Sequence, residues 1–339
     1  LNNYLVDISS NDFLLAYFAG LDFSNRLGLM CRKELHASWL PTNIFGIFGG
    51  LLAIALLEKR SISETFQLMG FGLSTMSGSR QALKESTSYK KFQPGLAVEQ
   101  VLMCRSLFTP KIINYPEDLF FGELGMCKML NCNKPDLKFL ELALYQINNI
   151  SLKPYPTCRC THPVIDAAQI LMNRIRSYNY NDIQSVEIGL SPKAYAQVAQ
   201  YYDSTIGIVS LQFSASLCFS IKLFNQEIQI KENFISSLNP DIFLLEKKCK
   251  FYEDFLDSSS IGPASVKIYM EDGTCFEETI TTPKGSPYMK LTRQEIGKKI
   301  ETVISNKKSI HKIKKNTATF MTKILSDKLI SKNNINFLL

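Results

Sequence analysis

Histidine is scarce: three residues in 339. A zinc site built on imidazoles therefore finds few ligands. Glycine (17) and proline (13) are also few, which leaves little room for low-complexity linkers. Charge of one sign is nearly absent as an excess. Lys+Arg 38 against Asp+Glu 31 gives a net +7, which permits an anionic partner without requiring nucleic acid. No basic start, apolar stretch and small-residue cleavage site open the chain, so no secretory signal is read. Gly-x-Gly-x-x-Gly and Gly-Lys-Ser/Thr are missing, and with them the common nucleotide loops. Gly-x-Ser-x-Gly, the usual α/β-hydrolase signal, is missing too. The one long uncharged run is Leu40–Leu57. Its strongly apolar part, from Ile44 onward, falls short of the about 20 residues a membrane span needs. A buried helix is expected there, with Gly46, Gly49 and Gly50 allowing close helix–helix approach and Pro41 suiting its first turn.

What remains is globular: 45% hydrophobic and 20% charged residues, with chain enough for two domains or one large one. The nine cysteines (31, 104, 127, 132, 158, 160, 218, 249 and 275) are odd in number and mostly isolated in apolar stretches. That argues for reduced thiols in a cytoplasmic protein rather than a disulfide framework. The chain opens on Leu1, close to a helical pattern, and an N-terminal part is expected to be absent.

Helices are expected over residues 11–30, capped by Asn11 or Asp12, over 41–58, over 63–73 and over 96–108, with a shorter one over 136–147. The pattern changes near Ser151. Ser185–Leu190 alternates like a strand, and Val266–Met270 with Cys275–Thr282 reads as a hairpin turning at 271–274. Helices over 162–177 and 214–224 lie between. Thr292 with Glu295 makes a capping box, and a Lys-rich amphipathic stretch follows over 298–332. The expected organisation is a helical domain over 1–150, an α+β domain over 151–290, and helices over 291–339 that return to the first domain. No internal repeat is present.

Four groups of residues invite a chemical reading. Cys158, Cys160 and His162 sit at steps of two and could grip a soft metal, but the spacing is tighter than zinc sites use and a fourth ligand is wanting. Buried thiols at a turn into a helix fit better, with His162 left as an acid/base or anion donor. In Tyr89-Lys90-Lys91-Phe92-Gln93, one lysine could face a pocket while the other is solvated. Ser77-Gly78-Ser79 reads as a helix end. Lys307, Lys308, Lys312, Lys314 and Lys315 carry interleaved apolar residues, so they read as the solvated face of a helix rather than a nucleic-acid site.

Several segments, in order, resemble the MmgE/PrpD family, which includes 2-methylcitrate dehydratase, cis-aconitate decarboxylase and iminodisuccinate epimerase. Leu14–Leu29 is similar to the helix before the family's W-H-P-T-G-x-F-G-x-F-G segment, here Trp39-Leu40-Pro41-Thr42-Asn43-Ile44-Phe45-Gly46-Ile47-Phe48-Gly49. Ser77-Gly78 and Lys90-Lys91-Phe92-Gln93-Pro94-Gly95-Leu96-Ala97 resemble its S-G and K-R-L-H-x-G-x-A. The most specific likeness is Lys153-Pro154-Tyr155-Pro156-Thr157-Cys158-Arg159-Cys160-Thr161-His162-Pro163 with Ile165-Asp166-Ala167-Ala168, similar to K-x-Y-P-x-C-x-x-T-H-x-x-I-D-A-A. Val266–Gly273 and Lys284-Gly285-Ser286-Pro287 fit the family's hairpin and K-G-x-P ending.

The resemblance implies a mainly α fold, a helical domain with an α+β lid, and a site between the two. It implies a homodimeric enzyme on small di- or tricarboxylates that needs no cofactor or metal, with neither nucleic acid nor membrane as partner. Carried over by position, Lys90 and Lys153 match active-site lysines, Tyr195 falls where a site tyrosine stands, and His162 shares the motif of Lys153. Thr42, Ser77, Lys91, Gln93 and Cys158 are the implied substrate contacts. Two positions depart from the pattern. Leu40 stands where the family has a histidine, and His36 is one helical turn earlier. Gln93 replaces another histidine. Neither leucine nor glutamine transfers a proton. The family's N-terminal helices, which supply an Asp, precede the matched region.

Overall fold

The uncharged run does form a buried helix, and its glycines explain how. The computed structural model describes residues 8–85, 87–109, 116, 118–141, 145–231, 233–256 and 262–305. The chain divides into two compact units that part between Asn149 and Ile150. In the first unit α1 (Ser10–Cys31), α2 (Pro41–Leu57), α3 (Ile62–Thr75), α4 (Gln81–Lys84), α5 (Gln93–Leu107) and α6 (Met126–Met129) follow one another, with 3₁₀ turns between. Ile44, Ile47, Phe48 and Leu51 of α2 are wholly excluded from solvent. A Cβ on Gly49 would strike the backbone of Gly20 in α1, and the reverse holds for Gly20. A Cβ on Gly50 would lie 2.8 Å from a Val101 methyl in α5. Gly46 faces open space, so the close packing rests on the other two. Among the described residues, no helix is long and apolar enough to cross a membrane.

Caps account for where these helices begin. Ser9, rather than Asn11 or Asp12, accepts from the Asp12 N–H and starts α1 one residue earlier than expected. Ser61 and Glu64 close a capping box and start α3 at Ile62. The expected helix over 136–147 is replaced by 3₁₀ turns at Leu137–Leu140 and Gln146–Asn149, with 142–144 outside the described residues. An isolated antiparallel bridge joins Trp39 to Ser79.

The second unit is α+β. Its four-stranded mixed sheet has the order β2-β1-β3-β4, where β1 is Ile183–Leu190, β2 Cys249–Glu253, β3 Ala264–Met270 and β4 Cys275–Ile280. β1 runs parallel to β2 and antiparallel to β3, and β3–β4 is the hairpin read from the sequence. Gly273 turns it with φ +83. The helices are α7 (His162–Arg174), α8 (Pro192–Val198), α9 (Ile208–Phe213), α10 (Ala215–Leu223), α11 (Pro240–Lys247) and α12 (Arg293–Ser305). Val164, Leu171, Val186, Ile188, Phe219, Val266 and Ile268 form one core beneath α7 and α10. The chain as a whole is therefore mainly α with an α+β part. α12, capped by Thr292 and Glu295 as read from the sequence, belongs to the second unit. The rest of the Lys-rich stretch, with Lys307, Lys308, Lys312, Lys314 and Lys315, lies outside the described residues.

Candidate functional site

The segment from Lys153 to Asp166 is pinned from several sides before it enters α7. The Cys158 N–H donates to the Gln212 carbonyl at 2.8 Å, and the Gln212 amide donates to the Pro156 carbonyl at 2.8 Å. Thr157 and Thr161 join their buried hydroxyls at 2.7 Å. Pro163 suits the first turn of α7, as its position predicts. Asp166, one turn in, accepts from the Tyr155 hydroxyl at 2.7 Å on one oxygen and from the Lys284 N–H at 2.7 Å on the other. The 283–289 loop thus joins the motif. Gly285 closes it: the Leu152 N–H donates to the Gly285 carbonyl at 2.7 Å. Gly285 has φ +77, and a Cβ there would collide with the Leu152 carbonyl.

Cations gather on this frame. The Lys153 ammonium donates to the Thr157 carbonyl at 3.0 Å, and Lys299 of α12 reaches the Lys153 carbonyl. Burial, and then the charge of Lys153, hold the Lys299 ammonium below its ordinary pKa. Arg159 donates to the carbonyls of Lys284 (2.7 Å) and Pro283 (3.2 Å) and to His162 Nδ1 (2.9 Å). Lys284 itself is paired with Glu295. Three cationic side chains therefore meet a single short stretch whose carboxylate, the half-buried Asp166, is already engaged by two donors.

His162 is wholly buried, edge-on to the Tyr155 ring at 5.2 Å. Burial first, then Arg159 and Lys153, push its pKa down to about 3. It is a neutral imidazole at physiological pH, and with Arg159 donating to Nδ1 its proton sits on Nε2. Among the described residues Nε2 closes no hydrogen bond, although the nearby Thr157 carbonyl favours the charged ring. In this arrangement His162 holds Arg159. Burial raises the Asp166 pKa, while the Lys284 N–H and Tyr155 hydroxyl oppose the rise. Cys158 and Cys160 both approach Gln197 of α8, at 4.0 and 3.6 Å. Tyr195 lies on the same short helix, half-buried against the core.

Residues 155–319 match the model of the MmgE/PrpD C-terminal domain. This part of the chain belongs to the MmgE/PrpD family. Lys153 stands just ahead of the matched stretch. No curated protein matches the chain. In and just ahead of this part, the sequence singled out Lys153, Cys158, His162 and Tyr195. Arg159, Lys299 and Asp166 complete the cluster and were not named as site residues. Arg159 and Asp166 stand inside the quoted motif and were legible there. Lys299 looks like any other lysine of an amphipathic helix, and only the fold brings it to Lys153.

The remaining candidates lie in the first unit. Leu40 is buried and precedes α2, with its N–H donating to the Gly78 carbonyl at 3.1 Å. Gly78 has φ +127, and a Cβ there would lie 2.7 Å from that of Asn43. Gln93 is buried. Its amide donates to the Ser79 carbonyl at 2.8 Å, and its own carbonyl accepts from the Asn43 amide at 2.8 Å. Its side-chain oxygen and that of Asn43 have no partner among the described residues. Ser77 accepts from the Gln100 amide at 2.9 Å. Thr42 and Lys91 are exposed and Lys90 is half-buried on the 3₁₀ turn Ser88–Lys91. His36 is bonded to Ser38 at 2.7 Å near the chain surface. Asn43, Ser77, Ser79 and Gln93 thus come together; Thr42 and Lys91 are solvent-facing.

Proposed function

We propose that the chain is a lyase of the MmgE/PrpD kind: a dehydratase or decarboxylase of a small di- or tricarboxylate such as 2-methylcitrate or cis-aconitate. The observation that carries the reading is the meeting of Lys153, Arg159 and Lys299 on one motif segment, with His162 neutral and Asp166 already bonded. Such a cluster suits substrate carboxylates and the charge that grows when a neighbouring carbon loses its proton. Arg159, held planar by two carbonyls and the His162 ring, is a preorganised carboxylate partner. Lys153 is the group of this segment that takes or returns the proton. In a dehydration Lys153 takes the proton of the carbon–hydrogen bond, the electron pair left behind forms the carbon–carbon double bond, and the hydroxyl of the neighbouring carbon leaves with a proton as water. In a decarboxylation the proton goes to the carbon that loses CO₂. An epimerase is the variant in which the abstracted proton returns on the other face. None of these steps calls for a metal or organic cofactor. Lys90, Lys91, Gln93, Thr42, Ser77, Cys158 and Tyr195 enter as substrate-site residues through the resemblance. A first domain that is helical throughout, a cytoplasmic location and a homodimer belong to the same reading, with neither nucleic acid nor membrane as partner.

A second reading has its own support. Leu40 is buried, and the Gln93 amide is spent on the Ser79 carbonyl. Where the family places two imidazoles, neither residue exchanges protons. A paralogue that binds carboxylates without turnover, or pairs with a complete subunit, would have this composition. Lys153→Ala separates the two. In an enzyme it abolishes turnover while citrate-type ligands still bind, weakened. In a binding protein, no turnover is measurable in the parent chain and the substitution only lowers affinity.

A further inference from the structure

Three cysteines of the first unit, far apart in sequence, converge in its core. Cys31 is the last residue of α1, and its carbonyl accepts from the Glu34 and Leu35 N–H groups at 3.2 and 2.9 Å. Cys127 lies in α6, its N–H donating to the Phe120 carbonyl at 2.9 Å. Cys132 is brought back beside it by a hook. Asn131 adopts φ +59, and the Cys132 N–H donates to the Cys127 carbonyl at 2.7 Å. The Met30 carbonyl then takes the Asp136 N–H at 3.0 Å, tying the end of the hook to α1. The three sulfurs lie within 4.8 Å of one another, and all three residues are buried.

We infer that Cys31, Cys127 and Cys132 are a three-sulfur site for a thiophilic d¹⁰ metal ion, Zn²⁺ or Cu⁺. Metal–sulfur bonds of about 2.3 Å place the sulfurs of such a site about 4 Å apart. The observed separation closes to that with shifts smaller than an ångström, which side-chain rotation supplies. Other buried thiols of the chain are placed differently. Cys218 points at the Leu211 carbonyl (3.3 Å) and Cys249 at the Leu245 carbonyl (3.6 Å). The trio's sulfurs face one another instead. A disulfide would use two of them and leave the third; a soft cation uses all three. The surroundings suit a cation as well, since the carboxylates of Glu34 and Asp118 lie near enough to act on Cys132 and Cys127. No fourth Cys, His, Asp or Glu joins the group among the described residues. The coordination is therefore trigonal for Cu⁺, or three sulfurs and a water for Zn²⁺. The inference is independent of the carboxylate chemistry of the second unit. Its role is to clasp the end of α1 to the α6 hook.

The test is to load the full, reduced chain with Zn²⁺ and, separately, with Cu⁺, and to read the ligands by X-ray absorption. The expected result is one tightly held ion with three sulfur neighbours, a raised melting temperature, and at least a hundredfold loss of affinity in Cys132→Ser. Should that variant fail to fold, the sulfur count in the parent chain decides by itself. A shell of two sulfurs with nitrogen or oxygen would place the ion at Cys158 and Cys160 and overturn the inference. So would failure of both ions to bind at micromolar concentration, or recovery of a disulfide between two of the three from the air-equilibrated chain with no metal taken up by the reduced one.

Discussion

The Lys153–Asp166 segment and the contact between Asn43 and Gln93 both carry residues singled out from the sequence, but the first is partly open to solvent and the second is buried. They also differ in the charge of what they hold. In the first, an ammonium, a guanidinium and a carboxylate are each tied to named carbonyls, N–H groups or hydroxyls. In the second the buried polar groups are neutral amides, and two of their oxygens have no partner among the described residues. A half-buried charge such as that of Arg159 or Asp166 is held by its frame, because leaving it unpaired costs more the less water reaches it. An unpaired amide oxygen costs about 1–3 kcal/mol and is tolerated. The comparison teaches that the frame of the second unit is committed to positioning charge, while the histidine-less strip of the first is a weaker restraint.

The largest effect that tests this difference is expected from Gly285→Ala. The residue needs φ +77, and the added methyl would drive the 283–289 loop off the Leu152 carbonyl. A loss upwards of about 4 kcal/mol is expected, read as a lowered urea midpoint. A loss below about 1 kcal/mol would show that the loop does not anchor the motif.

Acid should come next. His162 has its pKa pushed down to about 3 in the folded chain, against about 6.5 when unfolded. The unfolded state binds the extra proton between those values, so stability is full above pH 6.5 and falls as pH drops towards 3. The slope approaches about 1.4 kcal/mol per pH unit. Asp166, whose folded pKa is raised, works the opposite way just above the ordinary carboxylate value and softens the lower end of that fall. His162→Gln should flatten the decline between pH 6 and 4. An unchanged pH profile would mean that the ring is free to protonate in place.

The smallest effect belongs to the first unit. Gln93→Ala removes one amide from the Ser79 carbonyl and is expected to cost about 1 kcal/mol of stability, with no new pH dependence. A loss matching that of Gly285→Ala would erase the distinction between the two clusters.

Much of this was legible in the sequence, for identifiable reasons. The buried α2 followed from an uncharged apolar run, the β3–β4 hairpin from alternation around Asp272-Gly273, and the start of α12 from its capping residues, whereas α3 is capped by Ser61, two residues before the start read from the sequence. The 3₁₀ turns over 137–149 were not, because their apolar spacing mimics a helix. β2 was missed: Cys249–Glu253 has too few residues to show a period, and its parallel partner lies some sixty positions away. Of the residues in the Lys153–Asp166 cluster, Lys153 and His162 were singled out through a contiguous motif. Lys299 was not, because nothing local distinguishes a lysine that reaches a motif carbonyl from one that faces water. The Cys31, Cys127 and Cys132 cluster escaped for a similar reason, since each cysteine is isolated in the sequence and only the hook at Asn131 gathers them.

The central claim is that the charged frame around Lys153 handles protons next to a carboxylate. Proton NMR of the purified chain in D₂O with cis-aconitate, 2-methylcitrate and iminodisuccinate tests it most directly. Dehydration, loss of CO₂ and deuterium entry at the α-carbon are all visible in one spectrum. The account predicts product or deuterium uptake with at least one of the three, lost in Lys153→Ala. Unchanged spectra with every substrate, from a chain shown to be folded and to bind citrate, would contradict it and leave the binding protein as the reading.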